Sequence, residues 1–291
     1  MNTVDAPVFI GGLAHSGKTP VRLVLEKSGD IALTRKSYLW LKYFNRLGDL
    51  ADPSVRANAL DTLFADPAVS SLAPDAERVR RDFSTSPHSY ARLFGIIQRQ
   101  HAERVGKPRW GEQLGLVEAF AEPIFETFPD ARIVHMIRDP RDRVGFRRFT
   151  KRGRAGWETA KWLYSAQLAR DNERRHSGRY RIVRYEQLVA DPESTMREIC
   201  GFAELALTPP MIVALGTIAN DHALVPIETK RRSFVERHTS EALADLGYSS
   251  LPSGRRGGRA LTAQLPLDQL GAVAWRATKQ RSLTKQIGPR P

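Results

Sequence analysis

The chain has 291 residues and one cysteine, Cys200, which excludes an internal disulfide framework and a cysteine-rich zinc module. Hydrophobic residues make up 41%, with five Trp, twelve Phe and seven Tyr, enough for a sizeable core and too many for a disordered chain. Lys and Arg number 45 against 32 Asp and Glu, a net charge of +13, which favours anionic partners: a nucleotide, a nucleic acid, an acidic lipid surface or an acidic substrate.

The first residues, Met1 to Gly12, carry no basic segment followed by an apolar one. No apolar run approaches the ~18–20 residues that span a bilayer. The expectation is a soluble, cytoplasmic protein. Residues 7–12, Pro-Val-Phe-Ile-Gly-Gly, read as a buried strand entering a tight loop. Pro20 to Lys27 reads as a helix, with Pro20 in its first turn and Gly29 as its stop. Residues 31–108 hold amphipathic stretches broken at Asp52-Pro53 and Ser86-Pro87, a mostly helical insertion expected to carry substrate contacts. Leu116 to Phe128 reads as a helix kinked at Pro123, and Ala131 to Ile137 as a second buried strand ending at Arg138-Asp139-Pro140. Trp157 to Arg175 is a long helix and Tyr180 to Tyr185 a third strand. Asp191 then caps a further helix with Pro192 in first position. Strands alternating with helices predict an α/β fold, a three-layer parallel sheet with helices on both faces. Residues 1–250 form that domain, and 251–291 add a basic linker, Pro252 to Arg259, and an amphipathic extension over Leu267 to Lys285.

Gly12-Leu13-Ala14-His15-Ser16-Gly17-Lys18-Thr19 fits G-x-x-x-x-G-K-[ST] between a predicted strand and a predicted helix. Glycines let successive backbone N–H groups turn into one concavity, the helix start adds partial positive charge and Lys18 a full one, so the loop is a cradle for a phosphate-like group. Arg138, Asp139, Arg141, Asp142 and Arg143 close the second strand, and the basic run continues through Arg147, Arg148, Lys151, Arg152 and Arg154. In an open parallel sheet ligands sit at the carboxyl ends of strands, where this segment falls, and arginine forks suit phosphate oxygens.

Four ordered segments resemble the sulfotransferase family, which takes a sulfuryl group from 3′-phosphoadenosine 5′-phosphosulfate. They are FIGGLAHSGKTPVRLVLEKSGDI; KPRWGEQLG with FPDARIVHMIRDPRD; YRIVRYEQLVADPESTMREICGFAEL; and the ending Ala244-Asp245-Leu246-Gly247-Tyr248. The resemblance spans roughly residues 7–248. It implies a fold related to P-loop kinases, with Gly12 and His15–Thr19 on the 5′-phosphosulfate, Arg138 on the 3′-phosphate with Arg143 extending the cationic field, Tyr185 near the adenine, and no resident metal. The acceptor stays open between a small-molecule hydroxyl or amine, a sugar and a peptide, with a small molecule or sugar expected first, acidic if the basic surface steers it. No nucleic-acid or membrane partner is expected.

The chain differs from the family at informative places. His15 stands where Lys or Arg is usual, Lys18-Thr19 where Thr-Thr is usual, Phe146 where a Ser follows the 3′-phosphate Arg, Gln113-Leu114-Gly115 where many relatives have Lys-Thr-Pro, and Thr34-Arg35-Lys36 where a carboxylate often stands. Lys18 is the expected electrostatic catalyst, His15 a donor to the leaving oxygen or an acceptor contact, and Glu112 the first candidate for taking the acceptor's proton, ahead of His222 and His101. Trp110, Trp157 and Trp162 read as core or pocket wall, and Cys200 as core. Two alternatives stay open. An ATP- and Mg²⁺-dependent phosphotransferase would use Lys18-Thr19, with Asp139 in a metal-binding role. A non-catalytic anion or nucleic-acid binder would use the basic surface alone.

Overall fold

The structure, a computed structural model, describes residues 6–35, 38–144, 154–216, 218, 229–249 and 265–287. Five parallel strands, β1 (Val8–Gly11), β2 (Ile31–Thr34), β3 (Arg109–Gln113), β4 (Arg132–Ile137) and β5 (Tyr180–Arg184), form one sheet in the order β2-β3-β1-β4-β5. Helix α1 (Lys18–Leu25) follows β1. Between β2 and β3 lie α2 (Tyr38–Tyr43), α3 (Pro53–Phe64), α4 (Pro67–Ser70), α5 (Ala76–Asp82) and α6 (Tyr90–Arg104). Helix α7 (Ala121–Thr127) precedes β4, and α8 (Pro140–Arg143) and α9 (Arg154–Arg175) precede β5. After β5 come α10 (Tyr185–Ala190), α11 (Pro192–Phe202), α12 (Pro209–Leu215), α13 (Thr229–Asp245), α14 (Leu265–Trp275) and α15 (Arg281–Ile287).

Strand β1 shows why the sheet is covered on both faces. Its residues are all buried. Phe9 packs with Trp40, Phe94, Trp110 and Phe120, while Val8 and Ile10 pack with Val21, Leu25, Val134 and Met196 on the other side. Side chains alternate along a strand, so a continuous apolar run is what a two-sided core requires. This is the three-layer α/β architecture that the alternation of elements predicts.

Four local expectations are corrected. The segment 31–108 opens with β2, not a helix, and its helices start at Tyr38. Arg109–Gln113 is a fifth, central strand that its polar composition hides; Glu112 and Gln113 are nevertheless buried. Residues 116–128 are not one kinked helix: a 3₁₀ turn over Val117–Ala119 leads into α7, whose first turn holds Pro123, a place where its missing N–H costs no hydrogen bond. Tyr185 opens α10 rather than ending β5. Asp191 caps α11 as expected, accepting from the Ser194 N–H at 3.1 Å.

The expected linker, Pro252 to Arg259, lies outside the described residues. The segment after it returns to the domain. Helix α14 lies along α9, with the Tyr164 and Trp275 rings 5.3 Å apart, and a π-helical turn, Arg276–Gln280, joins it to α15. Buried Gln286 donates to the carbonyls of Leu41 at 3.1 Å and Phe44 at 2.9 Å, and accepts from Arg46 at 3.0 Å. Replacing Gln286 with alanine leaves these carbonyls unmet at the end of α2. We expect a loss of about 1–3 kcal/mol, read as a shifted urea midpoint with an unchanged slope.

Candidate functional site

The order β2-β3-β1-β4-β5 sends successive connections to opposite sides of β1, so a crevice opens at its carboxyl end. The loop Gly12–Thr19 fills that end and runs into α1. Its backbone is left-handed at three places, Gly12 (φ 112°), His15 (φ 65°) and Gly17 (φ 94°). A Cβ on Gly12 would lie 2.0 Å from the Met136 carbonyl oxygen, and one on Gly17 would lie 2.5 Å from the Tyr185 ring. Glycine is thus required at both for reach as well as for φ. Ser16 Oγ is buried and has no hydrogen-bond partner among the described residues. The loop has the two marks of an anion cradle, a concave backbone with no room for side chains and an unmet hydroxyl.

Lys18 donates from Nζ to the Gly12 carbonyl at 2.6 Å. Its ammonium is lowered to about 8, first by burial; Glu118 opposes this, and Lys161, Arg143 and Arg35 add to it. The loop lysine is therefore held where burial disfavours its charge.

The structure brings Arg138 and Tyr185 to this loop. Because β4 and β5 pair in parallel with Ile137 opposite Arg184, the residues that follow each strand are neighbours. The Arg138 guanidinium stacks over the Tyr185 ring, 4.3 Å from its centre, and the far side of the loop meets that same ring at Gly17. Trp162 on α9 donates to the Arg138 carbonyl at 2.9 Å and fixes the end of β4.

Arg143 is almost fully buried. It donates from Nε to the Ala14 carbonyl at 3.0 Å and pairs through Nη2 with Glu158 at 2.7 Å, so it braces the loop from behind. Thr19 Oγ1 lies 3.5 Å from Gln113 Nε2, and Gln113 accepts from Arg22 at 3.0 Å. Asp139 caps α8 and is gripped by Arg141, with Nη2 at 2.6 Å and Nε at 2.9 Å from its carboxylate. Glu112 projects from the centre of the sheet with no exposed surface and accepts from the Trp40 indole at 3.1 Å.

His101 is on the last turn of α6, which leads into the start of β3 and so lies at the opposite edge of the sheet from the loop. His222, Phe146, Arg147, Arg148, Lys151 and Arg152 lie outside the described residues. Trp110 and Trp162 are buried. Cys200 is core, and burial pushes its thiol up to about 11, leaving no thiolate near neutral pH.

Two charged residues near the loop were not singled out by the sequence reading. Glu118, fully buried, accepts a hydrogen bond from Ser165, and its second oxygen is 3.6 Å from His135 Nδ1. His135 is pushed down by burial and kept neutral there, 2.9 Å from the Tyr180 hydroxyl. Lys161 is likewise lowered, first by burial. The only sequence sign of Glu118 is a lone acid inside the apolar run Leu116-Val117-Glu118-Ala119-Phe120; Lys161 has none.

Among the described residues, no helix is long and apolar enough to cross a membrane. No curated protein matches the chain significantly. Solved structures do. A sulfotransferase domain from the curacin biosynthetic pathway is 16% identical, with 85% of this chain and 99% of that one covered and a TM-score of 0.50. The sulfotransferase domain of the Synechococcus PCC 7002 olefin synthase is 17% identical, with 98% and 96% covered and a TM-score of 0.50. These likenesses establish the fold. The model of the sulfotransferase family matches residues 7–209, more than half of the chain and all five strands, so the chain belongs to the sulfotransferase family.

Proposed function

We propose that the protein transfers a sulfuryl group from 3′-phosphoadenosine 5′-phosphosulfate to a hydroxyl or amine of a small acceptor. The observation that carries this reading is the contiguity of loop, ring and guanidinium: Gly17 against Tyr185, and Tyr185 under Arg138. In this reading the loop N–H groups, Ser16 and Lys18 hold the 5′-phosphosulfate, Tyr185 flanks the adenine and Arg138 takes the 3′-phosphate. Arg143 serves indirectly by bracing Ala14.

The acceptor oxygen or nitrogen attacks sulfur in line, the bond from sulfur to the bridging oxygen breaks, and 3′,5′-ADP leaves as the acceptor loses its proton. Negative charge grows on the bridging oxygen, and we assign its stabilisation to Lys18 and the loop amides. His15, left-handed at φ 65° within the loop, we assign to donating to that oxygen or meeting the acceptor. Glu112 is the carboxylate we assign to the acceptor's proton; the Trp40 indole orients one of its oxygens. Acceptor choice is assigned to the insertion. A cavity of about 470 Å³ runs between it and α7, lined by Tyr43, Phe44, Tyr90, Glu118 and Glu122 and, among the described residues, by no lysine or arginine. That lining suits a neutral or amine-bearing acceptor better than an acidic one.

The phosphotransferase reading is weakened by Asp139, whose carboxylate is taken up by Arg141. Titration calorimetry without Mg²⁺ decides between the two. The expected result is saturable 1:1 binding of 3′,5′-ADP, weakened about 10- to 100-fold by Arg138→Ala, the range for losing a charge-assisted contact. Mg²⁺-dependent ATP binding with no 3′,5′-ADP binding overturns the reading.

A further inference from the structure

Helix α9 turns one face toward the phosphate loop, and its contacts define that face residue by residue. Glu158 pairs with Arg143, which holds the Ala14 carbonyl. Trp162, four residues on, holds the Arg138 carbonyl at 2.9 Å. Ser165 donates to Glu118, the carboxylate whose charge acts on Lys18. Residues three, four and seven apart share a helix face. Lys161 stands three residues after Glu158 and four before Ser165, so it projects between the loop brace and Glu118.

Among the described residues the carboxylates of Glu158 and Glu118 draw on the Lys161 ammonium, but neither pairs with it directly. Glu158 is already bound by Arg143 at 2.7 Å and by Arg154 at 2.8 Å. Among the described residues Lys161 makes neither a hydrogen bond nor an ion pair, although it is half-buried. Its charge reaches Lys18, and the charge of Arg143 reaches both lysines. Burial opposes each ammonium first and Arg143 adds to it, against the pull of Glu118 on both lysines and of Glu158 on Lys161, an arrangement that folding alone disfavours. A polyanion seated in the loop relieves it.

We propose that Lys161 is a second donor-binding cation, meeting the phosphosulfate end of the nucleotide from the side opposite Lys18. The assignment of the ligand rests on the donor reading given above; the assignment of an anion does not. Lys18 approaches from the loop and Lys161 from the helix that packs across it, so the transferred group lies between two charges carried by different elements.

The test is Lys161→Met, with Lys161→Arg as the conservative variant, both in the full chain. Lys161→Met is expected to melt at the same temperature as wild type or higher, because a desolvated, unpaired charge is removed. Its affinity for 3′,5′-ADP is expected to fall about 10- to 100-fold, with Lys161→Arg within about fivefold of wild type. A merely structural lysine would give the opposite pattern, a lowered melting temperature and an unchanged affinity, and that result overturns the proposal, as does a Met variant that fails to fold. Inorganic pyrophosphate separates this failure from failure of the donor reading. If wild type ignores 3′,5′-ADP but pyrophosphate raises its melting temperature and not that of Lys161→Met, the anion site stands and the nucleotide reading falls. If pyrophosphate and 3′,5′-ADP act alike on wild type and Lys161→Met, Lys161 has no part in the site.

Discussion

Lys18→Ala is expected to lower kcat about 100- to 1000-fold, the usual cost of losing one preorganised group at a developing charge, while circular dichroism and melting temperature stay near wild type. A variant within a few-fold of wild type would remove Lys18 from the chemistry. The same residue sets a pH limb. Its ammonium is lowered from 10.5 to about 8, so kcat/KM, which reports the free enzyme, is expected to fall as pH rises through about 8. Lys18→Arg, which stays charged throughout this range, moves the limb upward. The stability linkage has the other sign. Between about 8 and 10.5 the unfolded chain holds a proton on Lys18 that the folded chain has lost, so the residue's contribution to stability rises with pH over that window. Urea midpoints at pH 7 and 9.5, set beside the pH–rate profile, check both signs.

Gly12→Ala is expected to cost about 3 kcal/mol or more of stability and to abolish donor binding in whatever protein remains folded. The position is left-handed at φ 112°, a conformation that strains any side chain by about 1–3 kcal/mol. Its added Cβ would also lie 2.0 Å from the Met136 carbonyl oxygen on β4. Backbone in a central strand cannot swing aside as a side chain can, so the loop must lift and its N–H groups lose their aim. Gly17→Ala meets instead the edge of the Tyr185 ring at 2.5 Å, and a ring can turn, so its larger effect falls on 3′,5′-ADP affinity through the displaced Tyr185–Arg138 stack. Gly29→Ala, with no heavy atom within 4 Å of the added Cβ, is the control and is expected to be neutral. Denaturant melts and calorimetry on the three variants distinguish these outcomes; equal stability for Gly12→Ala and Gly29→Ala would refute the steric account.

The parts of this site that were readable in the sequence are those whose physics is local. The loop is a contiguous run of residues with one backbone requirement, and both its strand and its helix sit beside it. Arg138 was readable because it ends an apolar strand, and Tyr185 through the family resemblance. What joins them, the β4–β5 pairing, is tertiary. Strand β3 was hidden because Arg109-Trp110-Gly111-Glu112-Gln113 looks polar; its buried Glu112 and Gln113 accept from Trp40 and Arg22, partners 72 and 91 residues away. Lys161 was hidden for a related reason. The 22 residues of α9 intersperse polar and apolar side chains, and only the packing of that helix against Arg143, Arg138 and Glu118 reveals which polar face turns inward.

The grip of Gln286 on α2 sets an order of events in making the protein. Gln286 and Trp40 are separated by 246 residues, and the entropy of closing so long a loop must be met before their contact helps. Trp40, on the same short helix, carries the indole that orients Glu112. While residues 265–287 are still inside the ribosome, the sheet and phosphate loop already have all their strands, but α2 lacks its final clasp. The loop half of the site is thus able to mature during synthesis, whereas the half that holds Glu112, the proposed proton acceptor, is completed only after α15 has emerged.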